Sequence, residues 1–132
     1  MRQISSRVSK GLIPGSVIIC ADNTGAKSLR IISKKGVGGA HKKLKSVGIG
    51  DIVIASVRGG SPEYMKKKVR AVIIRQRSPI RRKDGLRIRF EDNAAILIND
   101  TNLAIGTEVK GVMAREVVER YIKLAGVASR VV

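Results

Sequence analysis

The densest chemistry in the chain lies between Lys66 and Arg89 (KKKVRAVIIRQRSPIRRKDGLRIR), where eleven residues are Lys or Arg and only Asp84 is acidic. Cations at that density suit a polyphosphate backbone, because each neutralised phosphate releases condensed counterions and that release drives association. Asp84-Gly85 is a hairpin signal of the type I′ kind, in which both central residues take positive φ. With those two at the turn, Lys83 pairs with Leu86 and Arg82 with Arg87. Like charges placed directly opposite one another destabilise a ribbon, and a polyanion lying on it removes the conflict. The hairpin is therefore the first candidate for insertion into a nucleic acid. The bland alternative is a solvated charge run.

Other chemistry-bearing residues are thinly spread. Gly36–Gly50 carries five glycines with Lys42, Lys43 and Lys45, and reads as a flexible basic loop. His41 within it is the sole histidine, and a zinc site needs three or four ligands, so no metal is expected. Asp22-Asn23-Thr24-Gly25 is accounted for by turn chemistry. Walker A, HExxH and nucleophile-elbow motifs are missing, and acid/base catalysis needs convergent, perturbed groups that the sequence does not bring together. The expectation is a non-enzyme without cofactor or small-molecule substrate. Asn99-Asp100-Thr101 matches the glycosylation sequon, but a chain without a secretory signal would not meet that enzyme.

Aromatic content narrows the mode of recognition. Tyr64, Phe90 and Tyr121 are the only aromatic residues, whereas single-strand binders stack bases on several aromatic platforms. Recognition should rest on shape and phosphate position, through Arg forks and Lys point charges. The whole chain has 27 Lys and Arg against 10 Asp and Glu, a formal net charge of +17. Residues 1–90 hold 22 of those cations and 4 of the acids, so one basic and one nearly neutral surface are expected. Membrane binding would favour a basic amphipathic helix or a lipidation signal, and neither is evident.

The elements that must display these cations are strands. Fifteen valines and seventeen isoleucines against seven leucines favour a pleated, half-buried surface over a helix bundle. Short Val/Ile-rich runs occur at 17–21, 27–32, 51–57, 71–77, 86–90 and 94–98, each bounded by Gly, Pro, Asn or Asp. Leu86, Ile88 and Phe90 alternate with Arg87 and Arg89, and Leu29 and Ile31 flank Arg30, which turns guanidinium groups outward. Residues 51–57 are apolar on both faces and call for a cover. A helix at about 114–125, with Val117, Val118, Tyr121, Ile122 and Ala125 on one face, is the expected one. Glu116–Arg120 and Glu119–Lys123 would pair on its opposite face. Cys20 reads as a small buried hydrophobe in a reducing compartment. The fold class is thus all-β: a single domain over 1–132, a small barrel or sandwich with one C-terminal helical segment.

The segments ADNTGAK (21–27), VGIGD (47–51) and AVIIRQR (71–77), and the spacing from Ala71 through Asp84-Gly85 to Phe90 and Asn93, resemble the universal large-subunit ribosomal protein L-fourteen family in its archaeal and eukaryotic form. Gly106-Thr107 followed by Arg115-Glu116 fits its C-terminal section. The resemblance implies a closed five-stranded barrel with a protruding basic hairpin and short C-terminal helices, at work in the cytoplasm within the ribosome. It implies binding to large-subunit ribosomal RNA at the intersubunit face, contact with small-subunit RNA in bridges, and neighbours of the L-three and L-twenty-four types. It also implies docking of the anti-association initiation factor six on the C-terminal side. The RNA-binding residues expected are Lys27, Arg30, Lys34, Lys35, Lys42, Lys43, Lys45, Lys66, Lys67, Lys68, Arg70, Arg75, Arg77, Arg81, Arg82, Lys83, Arg87 and Arg89. The protein-facing residues expected are Thr107, Glu108, Lys110, Arg115 and Lys123. The competing class is a basic nucleic-acid architectural or chaperone protein acting outside the ribosome.

Overall fold

The computed structural model describes residues 6–35 and 46–132. The β-branched runs become strands β1 (Val17–Cys20), β2 (Ala26–Lys34), β3 (Ile52–Gly60), β4 (Lys68–Arg75) and β7 (Ala94–Ile98), which close into a barrel in the order β1-β2-β3-β4-β7. Four of the five contacts are antiparallel, and a parallel pairing of β1 with β7 shuts the cylinder, with Ile19 opposite Ala94 and Cys20 opposite Ala95. Closure removes the unpaired edges that an open sheet of this length would offer to other chains.

Strand register decides which side chains are inside. Ile18 faces Leu29, Leu29 faces Val57, Ile31 faces Ala55, Val53 faces Ala71, and Ala71 faces Leu97. All of these are almost fully buried and form the barrel interior. Because successive residues alternate sides, Val72, Ile74, Ile96 and Ile98 point outward from β4 and β7, yet they too are buried.

Their cover is the C-terminal segment. Strand β8 (Val112–Met113) pairs in parallel with β9 (Arg130–Val131), and between them lie helix α1 (Arg115–Arg120) and a 3-10 helix (Ile122–Gly126). Val117, Tyr121 and Leu124 join the same buried cluster as the outer residues of β4 and β7, and the Ala114 amide donates to the Ile74 carbonyl at 2.9 Å. The expected cover for β3 is therefore placed on β4 and β7 instead. On β3 itself Ile54 stays half-buried, and just before the strand Arg120 donates to the Gly50 carbonyl at 3.1 Å.

The helix also differs from its sequence reading. It ends at Tyr121, whose φ of −129° and ψ of 86° break the α-helical path. The phase of the face shifts there, so Leu124 is buried while Ile122 and Ala125 are exposed. Upstream, Glu116 turns into the core rather than toward Arg120, and exposed Arg115 pairs i,i+4 with half-buried Glu119 at 3.8 Å.

Candidate nucleic-acid interface

Between β4 and β7 the chain leaves the barrel and forms the small ribbon of β5 (Ile80–Arg81) and β6 (Arg87–Ile88). The turn is three residues long. Gly85 donates to the Arg82 carbonyl at 3.0 Å, and Arg82 donates to the Leu86 carbonyl at 2.9 Å. Only Gly85 has positive φ, +87°, and Asp84 does not, so this is a type I turn closed by a glycine bulge rather than type I′. Asp84 instead accepts the Leu86 amide on its side chain at 3.1 Å, an Asx contact that favours this longer loop.

One residue of register changes everything the ribbon displays. Arg81, not Arg82, stands opposite Arg87. A third strand contact adds the N-terminal arm, since Arg7 and Arg81 exchange backbone hydrogen bonds at 2.8 and 3.0 Å. Arg7, Arg81 and Arg87 therefore lie side by side across the two-stranded ribbon and the bridged arm, all exposed. Lys83 at the tip and Arg77 and Arg89 at the base are exposed as well. Such a row repels itself in the free protein and becomes favourable against phosphates. A cleft of about 410 Å³ runs beside it, lined by Arg7, Val8, Ser9, Pro79, Ile80, Arg81 and Arg87.

Three of the arginines expected at RNA, Arg70, Arg75 and Arg82, have partners within the protein. Arg82 turns to the other face of the ribbon, where its Nε donates to Glu116 Oε1 at 2.8 Å and its Nη2 to the Val132 carbonyl at 2.6 Å. Burial pushes the Glu116 carboxyl upward, but hydrogen bonds from Arg82 and Ser6 outweigh it and hold the group below the usual glutamate range. Arg75 lies in β4 with its Nε on Asp92 Oδ1 at 2.5 Å and Nη2 on Oδ2 at 3.1 Å. Its Nη1 donates to the carbonyls of Lys110 and Val112 at 3.0 and 3.1 Å. The hydrogen bond from Arg75 draws the Asp92 carboxyl below its ordinary value. Arg70 is half-buried and donates to Asp100 at 3.2 Å and Asn102 at 3.1 Å. Three acids of the nearly neutral C-terminal third thus bind arginines of the basic segment.

A second basic area covers the barrel wall. Arg30 stands opposite Ser56 and Ser56 opposite Lys68, so the two cations flank a small residue on the outer face of β2, β3 and β4. Lys27, Lys35, Lys66 and Lys67 are also exposed. Lys34 is half-buried, 3.6 Å from the Asp51 carboxylate, which also accepts from Lys10 at 2.7 Å and Arg120 at 3.4 Å. Lys42, Lys43, Lys45 and His41 lie outside the described residues. Sequence reasoning left out Arg58, exposed on β3, although its place at the outward position two residues beyond Ser56 would have signalled it. Arg7 carried no such signal, because its strand partner is far away in the chain.

The expected protein-facing residues Thr107, Glu108, Lys110, Arg115 and Lys123 are all exposed. The turn at Asp22–Gly25 anchors the first three. Asn23 Oδ1 accepts the Thr107 amide at 2.9 Å and its Nδ2 donates to Thr107 Oγ1 at 2.8 Å, while Lys110 donates its amide to the Ala21 carbonyl at 2.6 Å. Asp22 is buried and accepts from Thr24 Oγ1 at 2.6 Å and from the Leu97 amide at 2.9 Å. This is the turn chemistry read from the sequence. Asn99 Oδ1 similarly accepts the Thr101 and Leu103 amides at 3.0 Å.

The profile of the family described as Ribosomal protein L14p/L23e matches residues 11–132. The chain belongs to the L14p/L23e ribosomal protein family. Proteins named Large ribosomal subunit protein uL14 from Halorubrum lacusprofundi and Halobacterium salinarum are 47% and 46% identical to it over 132 residues, the full length of both chains. The uL14 of Thermoplasma volcanium is 46% identical over the same span. Members of the L14p/L23e family are structural, non-enzymatic proteins.

Proposed function

We propose that this protein is a structural constituent of the large ribosomal subunit in the cytoplasm that grips ribosomal RNA by phosphate neutralisation. The observation that carries the reading is the exposed row Arg7, Arg81 and Arg87 on two paired strands and the bridged N-terminal arm. Among the described residues no ion pair engages these three arginines, so a polyanion of fixed shape is their natural complement. Arg77, Lys83 and Arg89 extend it along the ribbon, and Lys27, Arg30, Lys35, Arg58, Lys66, Lys67 and Lys68 form the barrel-wall contact. Arg70, Arg75 and Arg82 act inside the protein instead.

The finer reading follows the family resemblance. The protein would lie at the intersubunit face, touch small-subunit RNA in bridges, and adjoin L-three- and L-twenty-four-type proteins. Thr107, Glu108, Lys110, Arg115 and Lys123 would meet the anti-association initiation factor six. Support for a protein-facing side is the exposure of all five.

Sedimentation of native particles through a high-salt gradient tests the proposal. The protein should stay with large subunits, because many phosphate contacts within a folded particle resist counterion competition together. Quantitative release into the top fractions would instead favour an extra-ribosomal chaperone or architectural role.

A further inference from the structure

We infer that Glu116 is a positioning residue that pins the ribbon and the N-terminal arm in register, so that the arginine row is assembled before RNA arrives. The inference rests on the proposed RNA contact for its purpose, though not for its geometry. Glu116 is fully buried, on the face of the ribbon opposite the row. A single oxygen, Oε1, accepts from Ser6 Oγ at 2.8 Å and from Arg82 Nε at 2.8 Å, while Oε2 takes a second bond from Arg82 at 3.3 Å.

Ser6 and Arg82 are the chain neighbours of Arg7 and Arg81, the two residues whose backbones pair. One carboxylate thus ties two strands at the position adjoining that pairing. Alternation along each strand then forces Arg7 and Arg81 outward when Ser6 and Arg82 point inward. This answers a problem the row creates. Two short strands and one bridge carry three neighbouring like charges, and backbone pairing alone is a weak opponent of that repulsion. A buried ionic contact that specifies register is the best attested use of such groups, and fixing the cations beforehand lowers the ordering cost of binding.

Amide hydrogen exchange in the free protein tests the pin directly. In Glu116→Gln, the Arg7 and Arg81 amides should exchange at least about ten-fold faster, while the Val72 and Ala95 amides of the barrel keep their rates. If that variant fails to fold, Arg82→Met with Glu116→Met removes both charges without stranding either, and the same acceleration is expected. Unchanged exchange at Arg7 and Arg81 in the folded variant would overturn the inference. A second measurement reads position rather than stability: the salt dependence of binding to a duplex RNA. Loss of the aligned row should lower the log–log slope by about 2 to 3, for three contacts at roughly 0.7 to 0.9 each. A wild-type slope in Glu116→Gln would also overturn it. Arg81→Ala with Arg87→Ala separates the two ideas, because an unchanged slope there rejects the RNA reading while the exchange result still judges the pin.

Discussion

Arg75 and Arg81 stand six residues apart in the same basic segment, and the structure gives them opposite tasks. Replacing Arg75 by Ala removes a guanidinium that serves four acceptors: both Asp92 oxygens and the carbonyls of Lys110 and Val112. A hydrogen bond to a charged group contributes about 1.5–3 kcal/mol net. The sum must be discounted, because the Asp92 side chain is 35% exposed and water re-solvates it once the arginine is gone. What remains is chiefly the two carbonyls of β8 and its approach, which hold the C-terminal cover against β4. A loss of about 2–3 kcal/mol is expected, or a fall in Tm of roughly 6–12 °C for a domain of this size. Thermal unfolding followed by circular dichroism measures it. The slope of RNA affinity against salt, compared at a temperature where both proteins are folded, should not change. Arg81→Ala with Arg87→Ala should do the reverse, leaving Tm within about 2 °C and lowering the slope by about 1.5. If Arg75→Ala kept its Tm and lost slope, the division of this segment into internal and external cations would be wrong.

Further outcomes follow from the same contacts. Asp92 and Glu116 are both held below their ordinary values of 3.8 and 4.5, so the stability they contribute is complete above those values. It disappears as pH falls through their lower native values; denaturant titrations across the acid range should show Asp92→Asn with a flatter pH profile than the native protein. Gly111 has φ of +82°, and a Cβ there would sit 2.8 Å from Arg75 Nη1, so Gly111→Ala should cost about 1–3 kcal/mol in chemical denaturation. The Cys20 thiol is buried and pushed up to about 12 by burial and the neighbouring Asp22; it should resist thiol reagents at about pH 8 until denaturant unfolds the barrel.

The amino-acid sequence by itself determined the class of the fold and the class of the partner. Alternating β-branched runs separated by turn residues can satisfy their backbone and bury their apolar face only as a sheet, and β1, β2, β3, β4 and β7 lie where those runs are. A net charge of +17 with three aromatic residues pointed to a polyanionic partner met through phosphate and shape. The Asp22–Gly25 turn was legible for the same reason, since its hydrogen bonds to Thr24 span two residues. Only the tertiary structure decided which cations are free. Arg82 and Arg81 are chemically identical neighbours, and a turn longer by one residue sends the first to Glu116 and the second to solvent. Arg75 meets Asp92 and two carbonyls of a distant segment, and Arg7 gains its place by pairing with a residue more than half the chain away. Local patterns report the period of an element, whereas register and ion pairing depend on which segments meet after the barrel closes, and a side-chain sequence contains no record of that distance.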